Sequence, residues 1–546
     1  MFSVHWSKIG LTRPVILVFS AVLAWLVAQS ALHLGALYYV LYNADSLYIP
    51  GFFDDLIHHR GHLSGWRFSP APNFFPDMAI YAVSWVGGMG FRTAVIIGTF
   101  LQAALFLDGC RSLASTVRLR AEPVLVAVLM VLLLLCYWQY FQPPDGHPKN
   151  NDIYWLSSLL ILGNHFGAIL SSLWGLLLIG GALQGRLRGA IGRGAVLAAL
   201  ILATGWSDML YLIWFCAPAV FCLLCAVGFA RGARLRSAAL ALLISAGGGL
   251  VYYLQLTYNP LLERYHDDTV DGWETATRSF DYARTFLFGS GRENAVHAAI
   301  FGTALVFLVL HALIRLGAAF RRRRADEASH VRTLITGFLV VSPLACLAAG
   351  CFTGMFHDFG LPRYTQPVVF MTMAGLAFAI AEMMEGREVR LPGWVRPAFL
   401  FGVVPLLSLF LATRHYAERL SPPIELACLP ADRPLTGLAE YWRARLLTQF
   451  GDGRLQVEPL TIDAAPFWWI SNRFWLTHSR SRPEAMPLYS FIDMRRLDPA
   501  TIERLYGKPS NIMSCGGEDI WFYDDAEQLT RRFMELYSHS AAALDP

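Results

Sequence analysis

The chain has 546 residues, of which 55% are hydrophobic and only 15% are charged, and its mean hydropathy is +0.43. A soluble domain carries about 25% charged residues, so this composition excludes an ordinary water-soluble protein and indicates one solvated largely by lipid. The net charge of +4, with a pI near 8.5, is too mild to indicate a nucleic-acid-binding protein.

About eleven apolar stretches predict membrane-spanning helices, each of which requires about 20 mostly apolar residues. They are 14–37, 93–110, 122–141, 164–184, 194–205, 209–229, 237–257, 295–318, 333–352, 365–384 and 397–414. The fifth is the shortest. Two further apolar pieces, 77–89 and 153–162, are too short to span and predict helices that lie at the interface or dip into the membrane.

Basic residues predict the orientation of these spans. Every second loop is rich in arginine when the N-terminus is placed in the cytoplasm, and cytoplasmic loops are the ones that carry excess arginine and lysine. The segments then placed outside are 43–92, 141–163, 205–208, 258–294, 353–364 and 415–546. We therefore predict a multi-pass protein of a bacterial inner membrane, with a cytoplasmic N-terminus and a periplasmic C-terminal domain.

The first external loop, 43–92, combines acids, histidines, prolines and aromatic residues. Asp45 comes first, where the chain leaves the first apolar stretch. A carboxylate at a membrane boundary is costly unless it is paired or near water, and one within hydrogen-bond reach of a hydroxyl can deprotonate it. We predict that Asp45 is catalytic; the alternative is an acid that only keeps the loop soluble.

Further acids and histidines follow Asp45, and if the segment 46–59 is helical, Asp54 and Asp55 lie about three turns after it. Asp54 and Asp55 are candidates for a second acid or a metal ligand, or for a solvated helix face. His58 and His62 are spaced i, i+4, which can hold zinc, but the usual third ligand is not evident. Surface histidines are favoured, and a divalent metal stays an open possibility.

Two further polar positions stand near predicted spans. Arg67 is a candidate phosphate clamp, because a guanidinium binds phosphate in a bidentate manner, or else an interfacial anchor. Asp208 ends a Gly-Trp-Ser-Asp turn between two apolar stretches. An intramembrane acid is a functional candidate by default, and a helix cap is the competing role.

The loop 353–364 ends in Pro-Arg-Tyr directly before a predicted span. Arg363 lies on the external side, against the positive-inside trend, and therefore requires an anionic partner. A lipid phosphate suits it, and a salt bridge to a loop acid is the alternative. Tyr364, His357 and Asp358 are its neighbours and further candidates.

The segment 415–546 has a different character and predicts a small α/β domain outside the membrane, which leaves 1–414 as the membrane-spanning module. Helical patterns fall at 436–449 and 526–537, and strand-like runs fall at 455–460 and 519–523. Cys428 and Cys515 lie in this segment, and they can pair if it faces an oxidising compartment.

Together these features resemble the GT-C superfamily of integral-membrane glycosyltransferases, in particular its protein O-mannosyltransferase and aminoarabinose-transferase branches. The shared pattern is an acid after the first span, a Gly-aromatic pair, a Pro-rich segment, an amphipathic helix and a late Arg-Tyr pair. In this chain those places are taken by Asp45, Gly65-Trp66, 69–72, 76–89 and Arg363-Tyr364. Many branches carry two acids after the first span, whereas here Ser46 follows Asp45, which leaves both the branch and a metal requirement open.

The resemblance implies inverting transfer of a sugar from a polyprenyl-phosphate lipid to a glycan, lipid or protein acceptor. Asp45 would be the general base, and Arg363 with Tyr364, and Arg67 as a further candidate, would hold the phosphate. The alternatives are a polysaccharide polymerase or ligase, and a non-enzymatic transporter or flippase of lipid-linked sugars. The apolar stretches contain few charges at their centres and the two halves show no repeat, which disfavours a transporter.

Overall fold

The computed structural model describes residues 44–132, 162–258, 272–321, 327–385 and 428–542, each range with short gaps, and four positions of the first apolar stretch. The described chain is mostly helical, with a small sheet region near its C-terminus. It has the architecture of a multi-pass helical membrane protein. The predicted span 397–414, and most of 14–37 and 122–141, lie outside the described residues.

Secondary-structure elements are numbered along the chain. The helices are α1 (Ala44–His58), α2 (Ala79–Trp85), α3 (Phe91–Thr116), α4 (Phe166–Gln184), α5 (Leu187–Ser207), α6 (Ala217–Phe229), α7 (Arg234–Tyr258), α8 (Gly272–Phe288), α9 (Arg292–Arg321), α10 (Glu327–Phe352), α11 (Leu361–Tyr364), α12 (Gln366–Met383), α13 (Tyr441–Phe450), α14 (Phe474–Thr477), α15 (Pro499–Tyr506) and α16 (Ala526–Ala542). The strands are β1 (Trp66–Arg67), β2 (Leu435–Glu440), β3 (Leu455–Leu460), β4 (Ser471–Asn472), β5 (Tyr489–Asp493), β6 (Asn511–Cys515) and β7 (Glu518–Phe522).

The chain divides into two compact units. Among the described residues, the larger unit contains 71–258 and 272–385, and the smaller unit contains 44–69 and 428–542. The first external loop, 43–92, is divided between the two units. Its residues 44–69 group with the C-terminal segment, with which they share contacts, and its residues from 71 onward belong to the larger unit.

The larger unit is built from membrane-length helices. Among the described residues, six helices are long and apolar enough to cross a bilayer: Phe166–Gln184, Leu187–Ser207, Arg234–Thr257, Gly302–Ala319, Ala328–Phe352 and Gln366–Met383. They correspond to six of the predicted spans. The first and last of them have 78% of their apolar window buried, whereas the second has 17% buried, so α4 and α12 form the centre and α5 presents an apolar surface suited to lipid.

Two other predicted spans are helical but do not belong to these six. The prediction at 93–110 corresponds to α3, and the prediction at 209–229 corresponds to a π-helical turn, Leu212–Cys216, followed by α6. The apolar helix in the second region is shorter than a full span, Leu212–Gly228.

The beginnings of three helical segments meet inside the larger unit. At the start of α4, the backbone carbonyl of Asn164 accepts a hydrogen bond from the side chain of Gln366 at the start of α12. His165, which caps α4, contacts Asp208, which precedes the π-helical turn. Because unpaired backbone N–H groups concentrate at helix starts, polar side chains collect in this layer.

The smaller unit contains a five-stranded sheet in the order β3-β2-β5-β7-β6. Strand β2 lies parallel to both β3 and β5, and the pairs β5–β7 and β7–β6 are antiparallel. The predicted strands at 455–460 and 519–523 are confirmed as β3 and β7, and the predicted helix at 526–537 as α16. One edge strand, one inner strand and the last helix therefore follow the pattern that the sequence shows.

The predicted helix at 436–449 is wrong in its first part, because residues Leu435–Glu440 form the strand β2 and only α13 is helical. Five of the six residues of β2 are buried. Burial on both faces removes the alternation expected of a strand, and the apolar residues Leu435, Leu438 and Ala439 are spaced i, i+3, i+4, which is the period of a helix.

A disulfide joins Cys428 to Cys515 at the end of β6, with Cα atoms 6.1 Å apart and 87 positions between them in the sequence. Closing so long a loop restricts the unfolded chain and is worth about 4 kcal/mol in the chain-entropy description. The covalent bond therefore ties the beginning of the C-terminal segment to the edge of its sheet.

Candidate functional site

In the smaller unit, Asp45 lies in the first turn of α1 and is partly exposed. Its Oδ1 atom accepts a hydrogen bond of 3.0 Å from the hydroxyl of Tyr441, the first residue of α13. The two helices approach closely at Gly51, where an added Cβ atom would stand 3.3 Å from the Cδ atom of Arg445. The glycine thus allows the contact that brings Tyr441 to Asp45.

Aromatic rings surround this hydrogen bond. The ring of Tyr441 lies 5.1 Å from that of Phe467 and 5.0 Å from that of Trp442, measured between centroids and in edge-to-face geometry. Edge-to-face pairs at this separation are attractive. They fix the tyrosine, and through it the carboxylate of Asp45, in one orientation, as a general base requires.

Asp54, the next predicted acid, is held by cations. Its carboxylate lies 2.9 Å from His58, 3.4 Å from His59 and 3.9 Å from a guanidinium nitrogen of Arg480. Burial alone would raise the pKa of Asp54, but the histidine hydrogen bonds and nearby positive charge outweigh it and lower the pKa to about 2. An acid that stays ionised down to that pH cannot donate a proton near neutrality, so Asp54 is unsuited to be a general acid.

Asp55 is fully buried, and its carboxylate accepts hydrogen bonds from several side chains. Its carboxylate accepts hydrogen bonds from the indole of Trp66 at 2.7 Å, the amide of Asn472 at 2.6 Å and the indole of Trp475, and the guanidinium of Arg480 lies 3.4 Å away. Trp475 is itself buried, so it is a core residue. Asp55 therefore links α1 to the segment that carries β4 through hydrogen bonds.

Removal of the Asp55 carboxylate is expected to destabilise the smaller unit strongly. Asp55→Ala leaves two indole N–H groups, an amide and a guanidinium buried without their acceptor, and we expect a loss of about 3–5 kcal/mol. The measurement is the thermal unfolding of the full chain in detergent. Asp524→Ala, at an exposed acid, is the matched control, and equal shifts in the two variants would refute the role of Asp55.

Arg67 also belongs to the smaller unit. It lies in β1, which pairs antiparallel with β4, and its backbone stands opposite Ser471. The neighbouring register pair joins Trp66 to Asn472, which are two of the residues that bind Asp55. Arg67, which is partly exposed, thus lies next to the residues that bind Asp55.

In the larger unit, Arg363 and Tyr364 lie in the short helix α11. The Nη2 atom of Arg363 donates a hydrogen bond of 2.9 Å to the Tyr364 hydroxyl, and its Cζ atom lies 4.9 Å from the centre of the tyrosine ring. Both side chains are partly exposed. A guanidinium stacked on an aromatic face loses less conformational freedom when it binds an anion.

A buried imidazole and a carboxylate adjoin this pair. The ring of His165 lies 5.6 Å from that of Tyr364, and its Nδ1 atom lies 2.8 Å from Oδ2 of Asp208. The other oxygen of Asp208 accepts the backbone N–H of Leu210 at 3.0 Å. The capping role expected of Asp208 is therefore confirmed, and its second oxygen contacts a histidine, while its functional role stays a prediction.

Asp77 completes this set, which we name the buried polar cluster: the buried Asp77, His165 and Asp208 together with the partly exposed Arg363 and Tyr364 that adjoin them. Asp77 is 2% exposed, and its carboxylate accepts the backbone N–H of Gly163 at 3.0 Å. Burial raises its pKa to about 6 and the charge of Asp208 adds to the rise, whereas the Gly163 hydrogen bond and His165 oppose it. The cluster thus combines one acid able to exchange a proton near neutrality, Asp77, with a guanidinium able to bind an anion.

The predicted candidates His357 and Asp358 lie outside the described residues. Within the part of the chain that the structure describes, no three histidine, cysteine or acidic side chains are grouped so as to hold a metal ion. Tyr441 and His165 are site residues that were not predicted, and Tyr441 falls inside the helix predicted at 436–449. The position of His165 at a helix start was the one available signal.

No protein-family model matches the chain, and no curated protein resembles it above the threshold of significance.

Proposed function

We propose that the protein is a membrane-embedded glycosyltransferase that moves a sugar from a polyprenyl-phosphate lipid to an acceptor hydroxyl, with inversion at the anomeric carbon. The observation that carries the proposal is the Arg363–Tyr364 pair of the buried polar cluster. Its guanidinium is oriented in advance and stands at the start of α12, where the helix dipole also favours an anion. The resemblance to the GT-C superfamily assigns a lipid phosphate to the same two residues.

In the proposed reaction, the carboxylate of Asp45 takes the proton of the acceptor hydroxyl as its oxygen attacks the anomeric carbon. The bond between that carbon and the phosphate oxygen breaks, and polyprenyl phosphate leaves with the electron pair. Arg363 stabilises the charge that grows on the leaving phosphate, which is the usual task of a fixed cation at such a site. The proton stays on Asp45 until it passes to solvent.

The compartment belongs to the same proposal. Eleven spans with a cytoplasmic N-terminus would place the smaller unit on the periplasmic side of a bacterial inner membrane. The disulfide between Cys428 and Cys515 supports this side, because structural disulfides persist in oxidising compartments. A lipid-linked donor fits this location, since the lipid can supply an activated sugar from within the membrane.

One observation favours the alternative of a transporter for lipid-linked sugars. Asp77 is a buried acid with a pKa raised to about 6, and His165 and Asp208 beside it are hydrogen-bonded to each other; buried acid and histidine chains serve as proton relays in transport proteins. The two functions differ in whether the bond between sugar and lipid phosphate is cleaved, because a transporter releases its lipid-linked sugar unchanged.

The experiment that tests the proposal compares envelope glycans, lipids and proteins by mass spectrometry in cells with and without the gene. The product found then serves as the acceptor standard for purified chain supplied with polyprenyl-phosphate-linked sugars. We expect loss of one sugar modification from the cells, and release of polyprenyl phosphate by the purified protein. An unchanged envelope, or movement of the lipid without cleavage, would overturn the proposal.

A further inference from the structure

The sheet of the smaller unit reverses its winding direction between β2 and β5. The chain passes from β2 to its parallel neighbour β3 on one side, and later returns to β5, which is parallel to β2 on its other side. Such a switch point opens a crevice at the carboxyl ends of the two strands, and this is where open α/β sheets bind ligands.

A buried acid at this edge of the sheet can form a further hydrogen bond through its carboxyl group. Glu440 is the last residue of β2 and is 5% exposed. One of its oxygens, Oε2, accepts the backbone N–H of Trp442 at 3.1 Å, and among the described residues no second side-chain hydrogen bond forms. Burial raises the pKa of Glu440 to about 7, against the charge of Arg496, so this carboxyl group exists both as a donor and as an acceptor near neutral pH.

The neighbouring acid is already used by the fold. Asp493 is the last residue of β5, 2% exposed, and one of its carboxylate oxygens lies 3.4 Å from the guanidinium of Arg443. Its other oxygen accepts the backbone N–H of Arg495 at 3.0 Å. Asp493 therefore fixes the edge of the sheet and adds negative charge beside Glu440. Of the two acids, Glu440 is the one that can form a further hydrogen bond with a ligand.

An exposed aromatic face adjoins Glu440. Trp442 is 39% exposed and packs edge-to-face against Tyr441, which in turn contacts Phe467. Sugars present hydroxyl groups at their rim and an apolar C–H face, and an indole beside a carboxyl group matches both. The same Tyr441 donates its hydroxyl to Asp45, so the edge of the sheet leads directly to the predicted general base.

We infer that the carboxyl edge of β2 and β5 is a carbohydrate-binding subsite, in which Trp442 stacks on a sugar ring and Glu440 binds one of its hydroxyl groups. The inference rests on the proposed function in one respect, since it identifies the acceptor of that reaction as a glycan. Binding itself needs neither donor lipid nor transfer.

The test is binding of fluorescently labelled full-length protein, in detergent, to an array of immobilised bacterial and common oligosaccharides. We expect the wild-type chain to bind a defined subset of them. Trp442→Ala and Glu440→Gln are expected to weaken binding to that subset at least about tenfold, a loss that corresponds to one hydrogen bond or one stacking contact. Thermal unfolding of each variant in the same detergent reports whether it is folded.

The matched controls lie at the opposite end of the sheet. Leu488, which is half-exposed and directly precedes β5, and Glu535, exposed on α16, are changed in Leu488→Ala and Glu535→Gln; both variants should bind as the wild type does. No binding of the wild-type chain, or equal losses in the control variants, would overturn the inference, as would capture of peptides in place of glycans. If glycans bind and no sugar is transferred, the subsite stands and the proposed function fails.

Discussion

Asp45→Asn is expected to lower sugar transfer by about 100- to 10,000-fold, the range that a general base contributes. Asparagine has nearly the shape of aspartate, and its amide oxygen still accepts the hydrogen bond that Tyr441 donates over 3.0 Å in the native protein. The amide cannot take the proton of an acceptor hydroxyl, so the loss should fall on kcat. The measurement is release of polyprenyl phosphate by purified protein at saturating donor and acceptor.

The control for this prediction is Asp54→Asn, at an acid in the same helix that is engaged by His58, His59 and Arg480. Its effect should be seen mainly in unfolding temperature, because its partners lose a charge and not a catalytic group. Wild-type turnover in Asp45→Asn would remove Asp45 from the role of base. Loss of folded protein in that variant would instead make Asp45 a structural residue.

Arg363→Ala is expected to weaken binding of the donor lipid by about 10- to 100-fold, which is the effect of losing a charge-assisted hydrogen bond of about 1.5–3 kcal/mol. In kinetics this should raise the KM for the donor, with a loss of kcat as well because the same cation stabilises the leaving phosphate. Tyr364→Phe should have a smaller effect, since it removes only the hydroxyl that receives the Nη2 hydrogen bond. Binding is measured with polyprenyl phosphate alone, so that no sugar preference enters.

Arg188→Ala supplies the comparison, because Arg188 is an exposed arginine in the same unit and its removal subtracts the same charge from the chain. If Arg188→Ala and Arg363→Ala reduce donor binding equally, the effect is one of net charge and the phosphate site lies elsewhere. Unchanged binding in Arg363→Ala would have the same meaning. Arg363→Lys should restore only part of the affinity, since an ammonium group lacks the planar fork of the guanidinium.

The parts of the fold that were predictable are those that a local pattern reports. Six of the predicted apolar stretches are present as membrane-length helices, because composition over about 20 residues decides each of them. The strand β2 was not predictable, since burial on both faces removes the alternation of polar and apolar residues.

The candidate site was predictable only on one side of each contact. Asp45 and Arg363 were identified from their positions next to apolar stretches, but Tyr441, which binds Asp45, is 396 positions away in the sequence. The role of Asp55 likewise depends on Asn472, 417 positions away. No pattern within one segment indicates a pairing over such a distance. The sequence therefore could not distinguish Asp55, which is bound in the core, from Asp45, which lies beside an aromatic surface.

The grouping of residues 44–69 with the C-terminal segment has a consequence for biogenesis. Helix α1 is synthesised early, yet the Asn472 amide and Trp475 indole that bind Asp55 emerge only after most of the chain has been made. Until then a carboxylate destined for the core stays in water. Folding that closes such distant contacts is slow, so the early segment has to be kept soluble through the whole period of membrane insertion. The acids and histidines of 45–62 keep this segment soluble before its partners are synthesised, and some of them bind those partners in the folded protein.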